Sequence, residues 1–255
     1  MIDNIKAHKD AGILTIVIDR QEKKNALTDA MYRAMTEALT SADKDPEVRV
    51  LLFRAEGDLF TAGNDIGEFA ATAMGGESPR SVMHFLHALA TATKPIVAAV
   101  QGSAVGIGTT LLLHCDQVLL AENAKLVTPF VNLALVPEAA SSLLLPARIG
   151  YARAYAMFAF GDPVSATDAV AWGLANAVVP VSELASAALA LARRLASKPL
   201  GALVTTKKLM RNAEAITRTI EVESKEFVER LKSPEAREAF TAFAERRPAD
   251  FTRFS

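Results

Sequence analysis

Apolar residues along this chain fall into two patterns, short continuous runs and wider helical spacing between them. Ile13-Leu14-Thr15-Ile16-Val17-Ile18 is dominated by β-branched side chains and predicts a strand, because such side chains pack well on a pleated surface. The Lys9-Asp10-Ala11-Gly12 step before it is a turn signal, so residues 2–8 and 13–19 are expected to pair as a hairpin. Thr28 has the character of a helix N-cap, and Met31, Met35, Ala38 and Leu39 follow at the spacing of one helix face. Pro46 stops that helix, since its ring fixes the backbone and removes a donor. Apolar runs at 48–53, 96–100 and 118–120 predict three more strands, and helical stretches are expected at 66–73, 80–92 and 106–114.

Strands alternating with helices, and apolar runs that are continuous, imply a mixed α/β core with buried strands. Beyond about residue 141 the pattern becomes helical. Leu184, Ala188, Leu191 and Leu195 recur at helical spacing, as do Ile216, Ile220, Phe227 and Leu231, with Pro199 and Pro234 as punctuation. The chain reads as one structural unit, a core over 1–195 followed by a helical region over 196–255.

Composition narrows function more than fold. The 255 residues are 51% hydrophobic with a formal net charge of −1, which suits one large domain. That balance argues against a nucleic-acid partner, which calls for a basic face. Arg20, Lys23 and Lys24 are locally dense, reading either as a solvated loop or as a contact for a phosphorylated ligand. The single cysteine, Cys115, excludes an internal disulfide and lies in an apolar run, as a buried thiol does. His8, His84, His87 and His114 form no ligand cluster, so no metal is expected. No basic start leads into an apolar leader, and no apolar run approaches the ~18 residues of a membrane span. The expectation is a cytoplasmic protein without a membrane partner.

The strongest chemical signal comes from Phe60-Thr61-Ala62-Gly63-Asn64-Asp65-Ile66 and Gly102-Ser103-Ala104-Val105-Gly106-Ile107-Gly108. Each places glycine and small residues where a strand-like run meets a helix-like one. Backbone N–H groups at such junctions lack a partner and can grip a negative oxygen. Two of them aimed at one point make an oxyanion hole. Asp65 followed three residues later by Glu68 also matches a capping box, and a capped helix start would stiffen the donor beside it.

These segments resemble the two oxyanion-loop motifs of the crotonase (enoyl-CoA hydratase/isomerase) superfamily. The similarity extends from Lys24-Asn25-Ala26-Leu27 to Thr206-Lys207-Lys208-Leu209-Met210. The resemblance implies a spiral of ββα units with C-terminal helices that mediate trimerisation, and so a homotrimer or a dimer of trimers. It implies acyl-CoA enolate chemistry, with coenzyme A entering as part of the substrate and no separate cofactor. On this resemblance the oxyanion donors are the backbone N–H groups of Asn64 and Ile107. Lys24 is the first candidate for the CoA phosphates, with Lys207 and Lys208 next. Ala62, Asp65 and Ile66 would flank the pantetheine arm or adenine, and Phe130 and Leu135 would line the acyl pocket. Burial against another subunit best explains the apolar C-terminal helices, although periodicity fits burial against the chain's own core as well.

The acid–base residues separate the reactions. The two glutamates with which the family's hydratases hold water map onto Thr110 and Phe130, and neither is a carboxylate. A different carboxylate, Glu138, stands in Pro137-Glu138-Ala139-Ala140-Ser141-Ser142. This segment resembles the Pro-Glu step and Ser-Ser pair of the Δ3,Δ2-enoyl-CoA isomerase branch, as does Gly63-Asn64-Asp65-Ile66. Local sequence alone reads Glu138 as an acid favoured by the dipole of a helix starting near Ala139. The resemblance makes it the single catalytic base, in apolar surroundings that raise its proton affinity. Ser141 and Ser142 read as first-turn helix residues, and Asp116 as the residue that orders the following strand. The expected reaction is Δ3→Δ2 enoyl-CoA isomerisation. The alternatives are an enoyl-CoA hydratase or other crotonase-type activity, and a non-catalytic acyl-CoA-binding protein.

Overall fold

In the computed structural model, which describes residues 4–68 and 81–254, the chain opens with the expected hairpin. β1 (Ile5–Asp10) and β2 (Ile13–Ile18) pair antiparallel through a turn at Ala11-Gly12. The portions of predicted elements at 2–3, 69–73 and 80 lie outside the described residues. Thr28 caps α1 (Asp29–Lys44), its hydroxyl accepting from the Met31 N–H at 3.3 Å, and Met31, Met35, Ala38 and Leu39 are all buried. Next come β3 (Val50–Ala55), α2 (Ser81–Thr91), β4 (Ile96–Val100) and β5 (Ser103–Val105). The short α3 (Ile107–Thr110) then tightens into a 3-10 turn at Leu111–His114, followed by β6 (Gln117–Ala121) and β7 (Lys125–Val127).

The main sheet has the order β1-β2-β3-β4-β6-β9, and every pair beyond the hairpin is parallel. A smaller sheet joins β5, β7 and β8. The strands β8 (Val164–Ser165) and β9 (Ala177–Val179) correct the expectation of a wholly helical chain after about residue 141. β9 is the sheet's far edge, registered on Leu119, Leu120 and Ala121 of β6. Strands this short leave no run from which periodicity can be read.

The later helices are α4 (Ser141–Ile149), α5 (Tyr151–Phe160), α6 (Ala166–Trp172) and α7 (Leu184–Ala196). Then follow α8 (Leu200–Met210), α9 (Ala213–Leu231) and α10 (Pro234–Glu245). Helix α7 lays Leu184, Ala188 and Ala192 over Val50, Leu52, Val97, Ala99 and Leu119, covering one face of the sheet. Residues of α1 and α2 cover the other, packing on Leu51, Phe53, Ala98 and Val100. Burial on both faces is why the strands read as continuous apolar runs.

Helix α9 buries Ile216 and Ile220 in that same core, and Leu231, Ala236 and Phe240 close over Phe130 and Leu135. These apolar positions are covered by the chain itself, the second of the two kinds of burial that their periodicity allowed. What the three last helices leave exposed is Leu209, Met210, Val222 and Phe243. Among the described residues no helix is long and apolar enough to cross a membrane.

Candidate functional site

The two glycine segments run side by side. Thr61 N–H donates to Ser103 O at 3.1 Å, and Val105 N–H to Thr61 O at 3.0 Å. On the other flank Leu27 N–H donates to Gly63 O at 2.8 Å, and Asp65 N–H to Leu27 O at 2.9 Å. These bonds straddle Asn64 and leave its own N–H without an acceptor among the described residues; the same holds for Ile107, the first residue of α3. Gly63 has φ 91, and a Cβ there would stand 2.9 Å from Val105 O. Only glycine meets both demands. Ile107 is fully buried, so its side chain serves the core while its backbone faces the junction.

The capping box is half formed. Asp65 accepts from Gly67 N–H at 2.9 Å, and its other oxygen takes Arg20 Nη1 at 2.7 Å. The Asp65 N–H that a box would give to Glu68 goes to Leu27 instead, and the Glu68 carboxylate accepts from Asp29 N–H at 2.9 Å. Arg20 is thus an ion-pair partner, and Lys24 is exposed beside the first segment, its carbonyl accepting from Ala62 N–H at 3.0 Å.

Glu138, only 6% exposed, precedes a turn in which Ala139 and Ala140 both hold left-handed backbone, φ 63 and 56. Consecutive left-handed residues with a Cβ are strained and persist only when their surroundings hold them. Three side chains hold this turn. Thr110 Oγ1 donates to Glu138 Oε1 at 2.6 Å. Glu223 of α9 accepts from Ala140 N–H at 2.6 Å, Ser142 N–H at 2.8 Å and Ser142 Oγ at 2.5 Å. His114 Nε2 meets Ala139 O at 2.7 Å, and Arg211 Nη2 meets His114 Nδ1 at 2.5 Å. A guanidinium can only donate, so Nδ1 is the acceptor and Nε2 carries the hydrogen. Burial, with the Arg211 charge after it, pushes His114 down to about 3, so the ring is neutral.

Burial pushes the Glu138 carboxyl up to about 7, the Thr110 hydroxyl opposes this, and the Glu223 charge adds to it. Such a group accepts and returns protons near neutral pH. The Tyr32 hydroxyl donates to Asn64 Oδ1 and so joins α1 to the first glycine segment. Burial holds Tyr32 well above its ordinary range, and the charges of Glu138 and Glu68 act in the same direction.

The remaining expected residues separate into two groups. Phe130 and Leu135 pack with Ile66, Phe158, Leu231 and Phe240, joining the first glycine segment to the C-terminal helices. Lys208 is exposed on α8. Lys207 is not available to a phosphate: its ammonium lies 2.8 Å from Asp116 Oδ2 and 2.9 Å from Lys94 O. Asp116 also accepts from Ile96 N–H at 2.8 Å, ordering β4 as well as β6. Burial pushes the Cys115 thiol up to about 12, which leaves it inert.

Thr110 and Glu223 are contributors that the sequence reading did not assign to the site. Thr110 was weighed as a missing carboxylate, not as a hydroxyl that could orient one. Glu223 falls on the buried stripe of α9 between Ile220 and Phe227, and a carboxylate in an apolar stripe is the signal that could have found it.

Residues 8–253 match the family model described as enoyl-CoA hydratase/isomerase. The chain is 33% identical over 260 residues to 1,2-epoxyphenylacetyl-CoA isomerase of Escherichia coli strain K12, spanning 99% of each. It is also 33% identical to enoyl-CoA delta isomerase 2 of Rattus norvegicus, over 94% of this chain and 63% of that protein. Among solved structures, Pseudomonas aeruginosa OdaA superposes with a TM-score of 0.89 at 46% identity, over 94% of this chain and 98% of its own. An enoyl-CoA hydratase/isomerase from Pseudoalteromonas atlantica T6c superposes with a TM-score of 0.92 at 36% identity, over 98% of this chain and 100% of its own.

Proposed function

The chain belongs to the enoyl-CoA hydratase/isomerase (crotonase) family and is an enzyme of CoA thioesters, and on that premise we propose that it moves an enoyl-CoA double bond from the 3,4 to the 2,3 position with Glu138 as the single base. The observation that carries this reading is the state of Glu138: buried, raised to about 7, and bonded to Thr110 at the position where the family's hydratases place a carboxylate. Isomerisation needs one group that takes a proton from C2 and returns one at C4, and a carboxyl near neutrality does both. The dienolate oxygen formed between the two transfers accepts from the N–H groups of Asn64 and Ile107. Phe130 cannot hold a water, so addition of water lacks the pair of carboxylates it uses elsewhere in the family.

Lys24 meets the CoA phosphates and Lys208 the nucleotide end, while Ala62, Asp65 and Ile66 flank the pantetheine arm. Phe130 and Leu135 bound the acyl end. No further cofactor takes part, and the assembly is a homotrimer or a dimer of trimers. Relatives named as isomerases and as hydratases match at similar identity, and 1,2-epoxyphenylacetyl-CoA isomerase of Escherichia coli does so over the full chain.

The test is turnover of 3-hexenoyl-CoA and crotonyl-CoA by the wild-type protein and Glu138→Gln. Isomerisation that disappears in the variant, with little hydration by either protein, is the expected result. Hydration as the main activity, or an active Glu138→Gln isomerase, overturns the reading.

A further inference from the structure

We propose that Glu223 is a positioning residue for the base: from α9 its carboxyl group locks the Ala139-Ala140 turn that presents Glu138. The proposal rests on Glu138 being that base.

Glu223 is 6% exposed, and its three bonds all go to one place, the N–H groups of Ala140 and Ser142 and the Ser142 hydroxyl. Burial raises the Glu223 carboxyl above its ordinary range, and the three donors aimed at it oppose that rise. No cation pairs with it among the described residues. A charge in this stripe contributes nothing to packing, since its neighbours Ile216, Ile220 and Leu231 are apolar and buried.

The turn needs such a partner. Ala140 is the N-cap of α4 and its methyl group cannot cap the helix, so the acceptor for the Ala140 and Ser142 N–H groups comes from another helix. With those N–H groups fixed, the left-handed Ala139 and Ala140 are held between them and Glu138, and Glu138 Oε1 stays against Thr110.

The groups around Glu138 leave Glu223 as the charge that acts on it directly. Thr110 is neutral, the Tyr32 phenol stays protonated, and the His114 ring is neutral with Arg211 beyond it. Glu68 lies toward Tyr32 and α1. Burial and Glu223 both push Glu138 upward, against Thr110.

The experiment is the pH dependence of kcat and KM for 3-hexenoyl-CoA with wild type, Glu223→Gln, Ser142→Ala and Glu138→Gln. Glu223→Gln should lose about tenfold or more in kcat through a misplaced base while KM stays within about twofold. Its acid limb should move down by roughly half to one pH unit, because a neutral neighbour no longer opposes ionisation of Glu138. Ser142→Ala, which removes one donor of three, should lose about two- to fivefold in kcat with its acid limb in place. Wild-type kcat and an unmoved acid limb in Glu223→Gln, beside an inactive Glu138→Gln, overturn this inference alone. An active Glu138→Gln instead overturns the base assignment beneath it. If Glu223→Gln does not fold, Glu223→Asp decides: reduced kcat with a retained acid limb supports the role, and unchanged kcat removes it.

Discussion

The backbone platform of the two glycine segments and the Glu138 turn are assembled from different materials. In the platform, Leu27, Thr61, Ser103 and Val105 hold Asn64 and Ile107 through main-chain hydrogen bonds, and side chains matter where they are absent, as at Gly63. In the turn, the backbone is strained and side chains hold it, from sequence separations of 28, 25 and 83 residues for Thr110, His114 and Glu223. A backbone device tolerates changes of side chain but not an added Cβ at its crossing point. A side-chain device is weak at each of its partners.

The largest expected effect falls on the turn. Glu138→Gln should lower isomerisation by about 10³-fold, within the range of a lost acid–base group, while KM changes little because the platform is intact. Steady-state kinetics with 3-hexenoyl-CoA checks this, and a loss under tenfold would separate Glu138 from the chemistry.

A comparable injury to the platform is Gly63→Ala, whose Cβ would meet Val105 O at 2.9 Å with φ at 91. Displacing one oxyanion donor should cost about 10²-fold in kcat, with strain of roughly 1–3 kcal/mol in the unfolding free energy. Ile107→Ala sharpens the contrast. It keeps the N–H and should hold kcat within about threefold while losing roughly 2–5 kcal/mol of stability from the core. A collapse of kcat at unchanged stability would show that the Ile107 side chain, not its backbone, does the chemistry.

A smaller effect is expected at Thr110, whose hydroxyl opposes the rise of Glu138. Thr110→Val should move the acid limb upward, so that activity falls severalfold near pH 6.5 and largely returns by about pH 8.5. A limb that moves down would contradict the 2.6 Å hydrogen bond.

The last effect is on stability and leaves the fold and the platform untouched. Glu138 is raised from its ordinary 4.5 to about 7, so between these values the folded state holds a proton that the unfolded state has released. This group's contribution therefore declines as pH rises from about 4.5 to about 7. Glu138→Gln should remove that decline, and its stability relative to wild type should grow by on the order of 1–3 kcal/mol between pH 5 and 8. Denaturant midpoints across that range measure it.

The same contrast explains what the sequence made legible. The hairpin, the Thr28-capped α1, α2 and the runs that became β3, β4 and β6 were readable because burial on both faces leaves continuous apolar stretches. The two glycine segments were readable because a backbone device writes itself into local sequence. Glu138 was legible only through the family pattern of its own segment. Its partners were not, because Thr110 and Glu223 come near it only after folding. Lys207 was misjudged beside Lys208 because adjacent helical residues face different ways, one inward to Asp116 and the other to solvent.

The clasp on the Glu138 turn also sets an order of events during synthesis. Glu223 lies 83 residues after Ala140, so at roughly 5–20 residues per second the growing chain carries an unclasped turn for about 4–17 s. Every strand of the main sheet, β9 included, precedes Glu223. The nascent protein therefore acquires its main sheet and both glycine segments before the Glu138 turn is clasped.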